Sequence, residues 1–334
     1  MKTSFTALRA LLTIGSGAIA LARQDLSRFA NNVLLRGYAL PGGEAVLTRL
    51  RLQPTPASEL AVQDLGRVPR RVADILPSTT FSQAHGPARV LMYLNNSIPF
   101  TRSGYTVRTQ SLLQQLRHQG VQIVAATRFG YPSVVGKIAI ASTTEAAGVI
   151  YHRLLPWWYP RNVHKRFAAE VDAVVALAEK HGTNILHTTV PFHNAEVVSH
   201  AAQRLGIPWI YEVRGEPEKT WLSRLSSEYK AQGARSDFYR MARLYETEAM
   251  TAAASVIALS EVSTEAMVER GVERKKITVI PNALDRIPTA GQLADVHKQA
   301  IAQRKALGLA DKTLVGTVSS IVGYEGLDLS LIHI

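Results

Sequence analysis

Three short stretches of this 334-residue chain concentrate side chains that can do chemistry. The first is Ser97-Ile98-Pro99-Phe100-Thr101-Arg102-Ser103-Gly104-Tyr105. Gly104 lets backbone approach a ligand closely, and a helix starting behind it would offer free N–H groups and a partial positive charge. Arg102 adds a full charge, so the loop with Ser103 suits a diphosphate. A single glycine between a strand and a helix also reads as a plain turn. The second stretch, Leu186-His187-Thr188-Thr189-Val190-Pro191-Phe192-His193-Asn194, sets two imidazoles and a carboxamide at a strand end. His193 could serve a sugar hydroxyl as donor, acceptor or base. Its other reading is a surface residue at a helix start, with His187 packed under the loop. The His187/His193 spacing does not put two ligands on one helix face, so no metal site is expected. In the third, Tyr211-Glu212-Val213-Arg214-Gly215-Glu216-Pro217-Glu218, three acids and an arginine stand where a buried strand opens. Such charges need partners or a ligand, and a salt-bridged strand end meets that need as well as a binding site does.

The elements that must position these residues follow from the apolar pattern. The run Arg89-Val90-Leu91-Met92-Tyr93-Leu94 has the character of a buried strand and ends in polar Asn95-Asn96-Ser97. A helix over 106–119 and a strand over 121–126 should follow, with Gly120 as the helix stop. The alternation continues with helices over 167–181, 195–205, 237–251 and 263–270, and strands over 184–187, 208–213, 255–259 and 277–280. This predicts an α/β fold, a Rossmann-like parallel sheet covered by helices on both faces. Ligands of such sheets bind at the carboxyl ends of the strands, where the three stretches lie. Residues 1–86 read as a helical appendage and linker, 87–284 as the main domain, and 285–334 as a linker and the incomplete start of a second α/β domain. That last segment is expected to be helical and polar to Gly308, with a new strand from Thr313.

Composition narrows the chemistry. The absence of cysteine removes disulfides, thiolate zinc sites and thiol nucleophiles, and fits a reducing compartment. There is no GxGxxG and no GxxxxGK[ST], which argues against a dinucleotide-binding or P-loop enzyme. The net charge of +12 favours anionic partners. The basic clusters Arg67, Arg70, Arg71 and Arg274, Lys275, Lys276 are too short for a nucleic-acid arm, and read as solvated surface or as contacts to an anionic membrane. Residues 5–22 are apolar but are broken by Arg9 and by Gly15-Ser16-Gly17; a packed or interfacial helix is expected, with a signal or anchor as the alternative. The expected location is cytoplasmic, with a peripheral position at the inner face of the plasma membrane.

Taken in order, Asn95-Asn96-Ser97-Ile98-Pro99 through Arg102-Ser103-Gly104-Tyr105-Thr106-Val107-Arg108-Thr109, then Tyr211-Glu212-Val213-Arg214-Gly215, then Val279-Ile280-Pro281-Asn282-Ala283-Leu284-Asp285 resemble the group 1, or family 4, GT-B glycosyltransferases. The resemblance implies two Rossmann-like domains facing a cleft. It also implies transfer of a sugar, with retention, from a nucleotide-sugar donor to a glycan, lipid-linked or small-molecule acceptor, with no cofactor and no catalytic metal. On it, Ser103 and Gly104 would approach the donor diphosphate and Arg214 would stand at the acceptor side of the sugar. Across the three stretches the catalytic candidates are His193 and Arg214, and the substrate-binding candidates are Arg102, Ser103, Gly104, Asn194 and Glu216. The family commonly places a histidine where this chain has Arg214. Arginine cannot act as a base at neutral pH but can hold a phosphate or stabilise departing charge. Asn282 and Asp285 would stand at the interdomain linker.

The segment Val315-Gly316-Thr317-Val318-Ser319-Ser320 through Tyr324-Glu325-Gly326-Leu327-Asp328 resembles the first strand and loop of the nucleotide-binding domain, with Glu325 where the family often has lysine. The last six residues, Leu329-Ser330-Leu331-Ile332-His333-Ile334, match the translation of a transposon end used in preparing sequencing libraries, so a longer natural reading frame is expected, the present chain being inactive alone. A non-catalytic module for anionic lipid or polymer, and a GT-B nucleotide-sugar epimerase, are the alternative functions.

Overall fold

Short apolar runs bounded by turn residues become strands, the central ones covered on both faces. The computed structural model describes residues 56–73, 76–78, 86–137, 139, 141–283 and 287–317, with Leu8, Leu11, Leu12 and Arg49. Its elements begin with α1 (Ala57–Gln63), β1 (Arg89–Leu94), α2 (Gly104–His118), β2 (Gln122–Thr127), β3 (Thr143–Ala146), β4 (Val149–Arg153), α3 (Val163–Lys180) and β5 (Ile185–Thr189). They continue with α4 (Phe192–Leu205), β6 (Trp209–Glu212), α5 (Pro217–Arg224), α6 (Ser227–Arg235), α7 (Asp237–Ala252), β7 (Ser255–Ala258), α8 (Glu261–Glu269), β8 (Ile277–Val279) and α9 (Ala290–Ala306). The strands form one sheet in the order β3-β4-β2-β1-β5-β6-β7-β8, parallel throughout except for β3 against β4. This is the Rossmann-like α/β fold.

Alternate residues of β1 enter two different cores, which is why its sequence is apolar without a polar face. Leu91 and Tyr93 join Val174, Ala195, Trp209 and Tyr211 on the side of α3, α4 and α7. Met92 and Leu94 join Leu113, Ala125, Val149 and Tyr151 beneath α2. The chain winds outward from β1 to β2 and β4 on one side, then returns to lay β5 on the other. The β1/β5 boundary is therefore the topological switch point, where the strand-end loops diverge and leave a crevice.

The β3–β4 hairpin turns on Ala147 and Gly148, with φ of 46° and 78°. A two-residue turn with both φ positive matches strand twist, but Ala147 pays a steric penalty that glycine would avoid. Side chains of α2 hold it in place: Gln110 Nε2 donates to the Ala146 and Ala147 carbonyls at 3.0 and 3.3 Å, and Gln114 Nε2 to Ala147 at 2.9 Å. Ala147→Gly should therefore stabilise the protein by about 0.5–1 kcal/mol in urea unfolding; a loss of stability would show that Ala147 is unstrained.

Contacts divide the chain into two compact units, Met1–Pro281 and Asn282–Ile334. Within the first, α1 packs Ala61 against Trp221 and Leu225. The segment that follows lies along α4: the N–H groups of Val72 and Ala73 both donate to Glu196 Oε1 at 2.8 Å. In the second unit, α9 starts at a Thr289/Gln292 capping box and has no buried residue. Residues 313–317, expected to open a strand, have no strand pairing. The readings placed on 5–22, apart from the helical Leu8, Leu11 and Leu12, on Leu284 and Asp285, and on 318–334 lie outside the described residues. Among the described residues no helix is long and apolar enough to cross a membrane.

Candidate functional site

The crevice at the switch point has a volume of about 400 Å³ and is lined by Asn95 and Asn96 after β1, the first turn of α2, Val190 and Pro191 after β5, Arg214 after β6, and α5. Ser103 ends the β1 loop as the N-cap of α2. Thr106 N–H donates to its hydroxyl at 3.4 Å, and its own N–H donates to Thr106 Oγ1 at 2.9 Å. The helix thus begins at the crevice and brings its N-terminal charge there. Gly104 opens that first turn, and a Cβ built on it would meet nothing within 4 Å. No packing demand explains a glycine at this position. Gly215 is different: a Cβ there would fall 2.8 Å from the Tyr105 hydroxyl, so the missing side chain lets Tyr105 lie across the β6 loop.

The loop after β1 is fixed from behind by Arg153. Its guanidinium donates to Ser97 Oγ at 2.5 Å and to the Ile98 carbonyl at 3.2 Å, and lies 5.1 Å from the Phe100 ring centroid. Burial brings its pKa down to about 10, with Tyr131 and Tyr151 opposing the shift, so it stays charged at neutral pH.

Glu212, fully buried at the end of β6, is the electrostatic centre of the crevice wall. Arg108 Nε donates to its Oε1 at 2.8 Å and Arg214 Nη2 to its Oε2 at 2.6 Å, while His187 Nε2 stands 3.4 Å from Oε2. Burial would raise the Glu212 pKa, but His187 and Arg214 overcome it and hold the carboxyl far below its ordinary value. Arg108 continues to the carbonyls of Ile280 at 2.7 Å and Pro281 at 2.9 Å. Arg214 Nη1 donates to the Tyr105 carbonyl at 2.8 Å and to Thr109 Oγ1 at 2.6 Å, which pins α2 to β6. Its Nε is buried without a hydrogen-bond partner. Arg214 is thus a fixed guanidinium in the crevice wall, ion-paired with Glu212, and the third stretch is in part the salt-bridged strand end its composition allowed.

Of the residues selected from sequence, the crevice gathers Ser103 and Arg214, with Gly104 between two lining residues. Arg102 is exposed and outside the lining. His193 faces away from it: Nε2 is 3.0 Å from the Arg70 carbonyl, the ring stacks on Phe192 at 4.0 Å, and it lines two other cavities. Desolvation by the surrounding protein lowers its pKa to about 4, with the Arg70 carbonyl opposing the shift. Asn194 is buried and closes the β5–α4 turn, its Nδ2 donating to Thr189 O at 3.0 Å. Glu216 is the N-cap residue of α5, ion-paired with Lys219 at 2.8 Å. The crevice also contains Tyr105, Thr220, Trp221 and Arg224, which the sequence reading did not select. Three of these sit on α5, whose start was signalled by Pro217 at the first helical position with Glu218 after it.

Residues 103–283, more than half of the chain, match the family described as "Glycosyl transferase 4-like domain". No curated protein sequence matches. Among solved structures, the chain is similar to sucrose-phosphate synthase from Thermosynechococcus elongatus, with 18% identity over 63% of this chain and 52% of that one and a TM-score of 0.45. It is similar to Anabaena HepE in complex with UDP, with 16% identity over 72% and 56% and a TM-score of 0.47. It is also similar to UDP-GlcNAc 2-epimerase from Methanocaldococcus jannaschii, with 10% identity over 68% and 54% and a TM-score of 0.37. The chain spans about half the length of each of these structures. With the family match starting at Ser103, the N-cap of α2, and running through β8 to residue 283, the chain belongs to the glycosyl transferase 4-like family.

Proposed function

We propose that this chain is the acceptor-side half of a retaining glycosyltransferase, whose substrates are a nucleotide-sugar and a glycan, lipid-linked or small-molecule acceptor. The observation that carries the reading is the open space before Gly104, at the first turn of a helix that starts on a crevice walled by Arg214. Departure of a nucleoside diphosphate puts negative charge on its phosphate oxygens. Preorganised N–H groups at a helix start stabilise such charge, and a fixed guanidinium adds to the field. Arg214 would hold or screen an anionic group and would not move a proton. The +12 charge supports docking at an anionic membrane surface, where a lipid-linked acceptor would be presented.

The test uses the complete gene product and a panel of UDP-, GDP- and ADP-sugars. Gly104→Val fills the open space without meeting protein atoms, so stability should change by less than about 1 kcal/mol. Sugar transfer should fall by about 10²-fold, because a displaced diphosphate loses its oriented donors. Unchanged transfer in this variant would remove the α2 start from the donor site. Conversion of the donor sugar to its epimer, with no acceptor product, would replace transfer with epimerisation.

A further inference from the structure

A second cavity, of about 410 Å³, lies on the other side of the strand-end loops and shares Asn95 and Pro191 with the crevice. We propose that it binds the anionic group, carboxylate or phosphate monoester, of a sugar-sized acceptor, with Arg128 and Arg166 as its ligands. This rests on the transferase reading above and names the acceptor's chemical class.

Arg70, Arg128 and Arg166 all line the cavity. Arg128 directly follows β2, and its backbone N–H is tied to the Leu94 carbonyl at 2.8 Å. Its Nε is buried and has no hydrogen-bond partner. Arg166 projects from α3, with its guanidinium 5.2 Å from the Tyr159 ring centroid and Nη1 3.3 Å from the Pro160 carbonyl. Among the described residues, no carboxylate lies within ion-pairing distance of Arg128 or Arg166.

The two acids in the wall hydrogen-bond elsewhere, although Arg128 and Arg166 act on the Glu170 carboxyl through space. Glu170 Oε1 accepts from Tyr93 Oη and from Phe129 N–H at 2.7 Å, and Glu196 Oε1 accepts from the Val72 and Ala73 N–H groups. An enclosed guanidinium edge without an acceptor is costly, and its planar fork matches the oxygens of a carboxylate or phosphate. The shared wall at Asn95 and Pro191 lets a sugar anchored there reach the crevice with a hydroxyl.

The 334-residue chain is titrated by calorimetry with glucose 6-phosphate, glucuronate, glucose and inorganic phosphate. Glucose 6-phosphate or glucuronate should bind, and whichever is tighter tells phosphate from carboxylate. Glucose should bind at least tenfold more weakly. Arg128→Met and, separately, Arg166→Met should each lower affinity at least tenfold with an unchanged Tm, while Arg204→Met on the surface should not. Equal binding of glucose, no loss in either cavity variant, or binding of neither anionic sugar would overturn the proposal. So would inorganic phosphate binding as tightly as glucose 6-phosphate. Donor turnover by the complete gene product is a separate readout: its absence would sink the transferase reading and leave anion binding standing.

Discussion

Glu212→Ala should destabilise the protein by about 3–5 kcal/mol, because it strips the counter-charge from two guanidinium groups at once. Arg214 is buried with Glu212, and the side chain of Arg108 is 12% exposed, so water cannot readily replace the lost carboxylate. Urea unfolding measures the loss, and a change below about 1 kcal/mol would mean that water or neighbouring groups solvate the two arginines well enough. The sign of the pH dependence follows from the same contacts. The folded-state pKa of Glu212 is depressed below 4.5, so its stabilisation is complete above the unfolded-state value and disappears as pH falls below it.

Glu246→Gln should act at the other end of the pH range. This carboxyl is fully buried, and burial raises its pKa to about 7 although Tyr211 Oη donates to Oε2 at 2.6 Å and Phe192 N–H to Oε1 at 2.8 Å. Between 4.5 and about 7 the folded protein keeps a proton that the unfolded chain has released. Stability therefore declines as pH rises through that window, by on the order of 3 kcal/mol. Glutamine keeps an acceptor for Phe192 N–H and carries no charge, so the variant should lose this slope and exceed the parent in stability at pH 8. Unfolding curves at pH 5 and pH 8 decide it; an equal slope in both proteins would show that Glu246 ionises normally in the fold. Together the two acids put maximal stability near the lower edge of the window.

The sheet was readable from sequence wherever a short apolar run is bounded by turn residues. The run from Arg89 to Leu94 is the observed β1 without shift, and β5, β6, β7 and β8 fall within two residues of their expected ends. Local chemistry hid the rest. The β3–β4 hairpin turns on Ala147-Gly148 in place of Asn-Gly or Asp-Gly, and its stability comes from α2 side chains remote in sequence. Helix α5 was obscured because Glu216 and Glu218 read as charges at a strand mouth, although Pro217 between them is a helix-start signal.

The candidate site was legible as loops and not as roles. Ser103 and Arg214 meet in the crevice because strand-end loops converge at a switch point, which alternation alone predicts. The outward turn of His193 depends on the Arg70 carbonyl, 123 residues away in sequence, and no local pattern announces it. Arg128 escaped notice for a related reason: an arginine after a strand is unremarkable until its missing partner is visible.

Arg108 ties the end of the sheet to the crevice wall. One guanidinium grips the carbonyls of Ile280 and Pro281, where the chain leaves the first unit, and the carboxylate that also holds Arg214. A single side chain therefore holds both the backbone just after β8 and the carboxylate that anchors Arg214 in the crevice wall. Substitution of Arg108 would therefore loosen the end of β8 and the seat of Arg214 together.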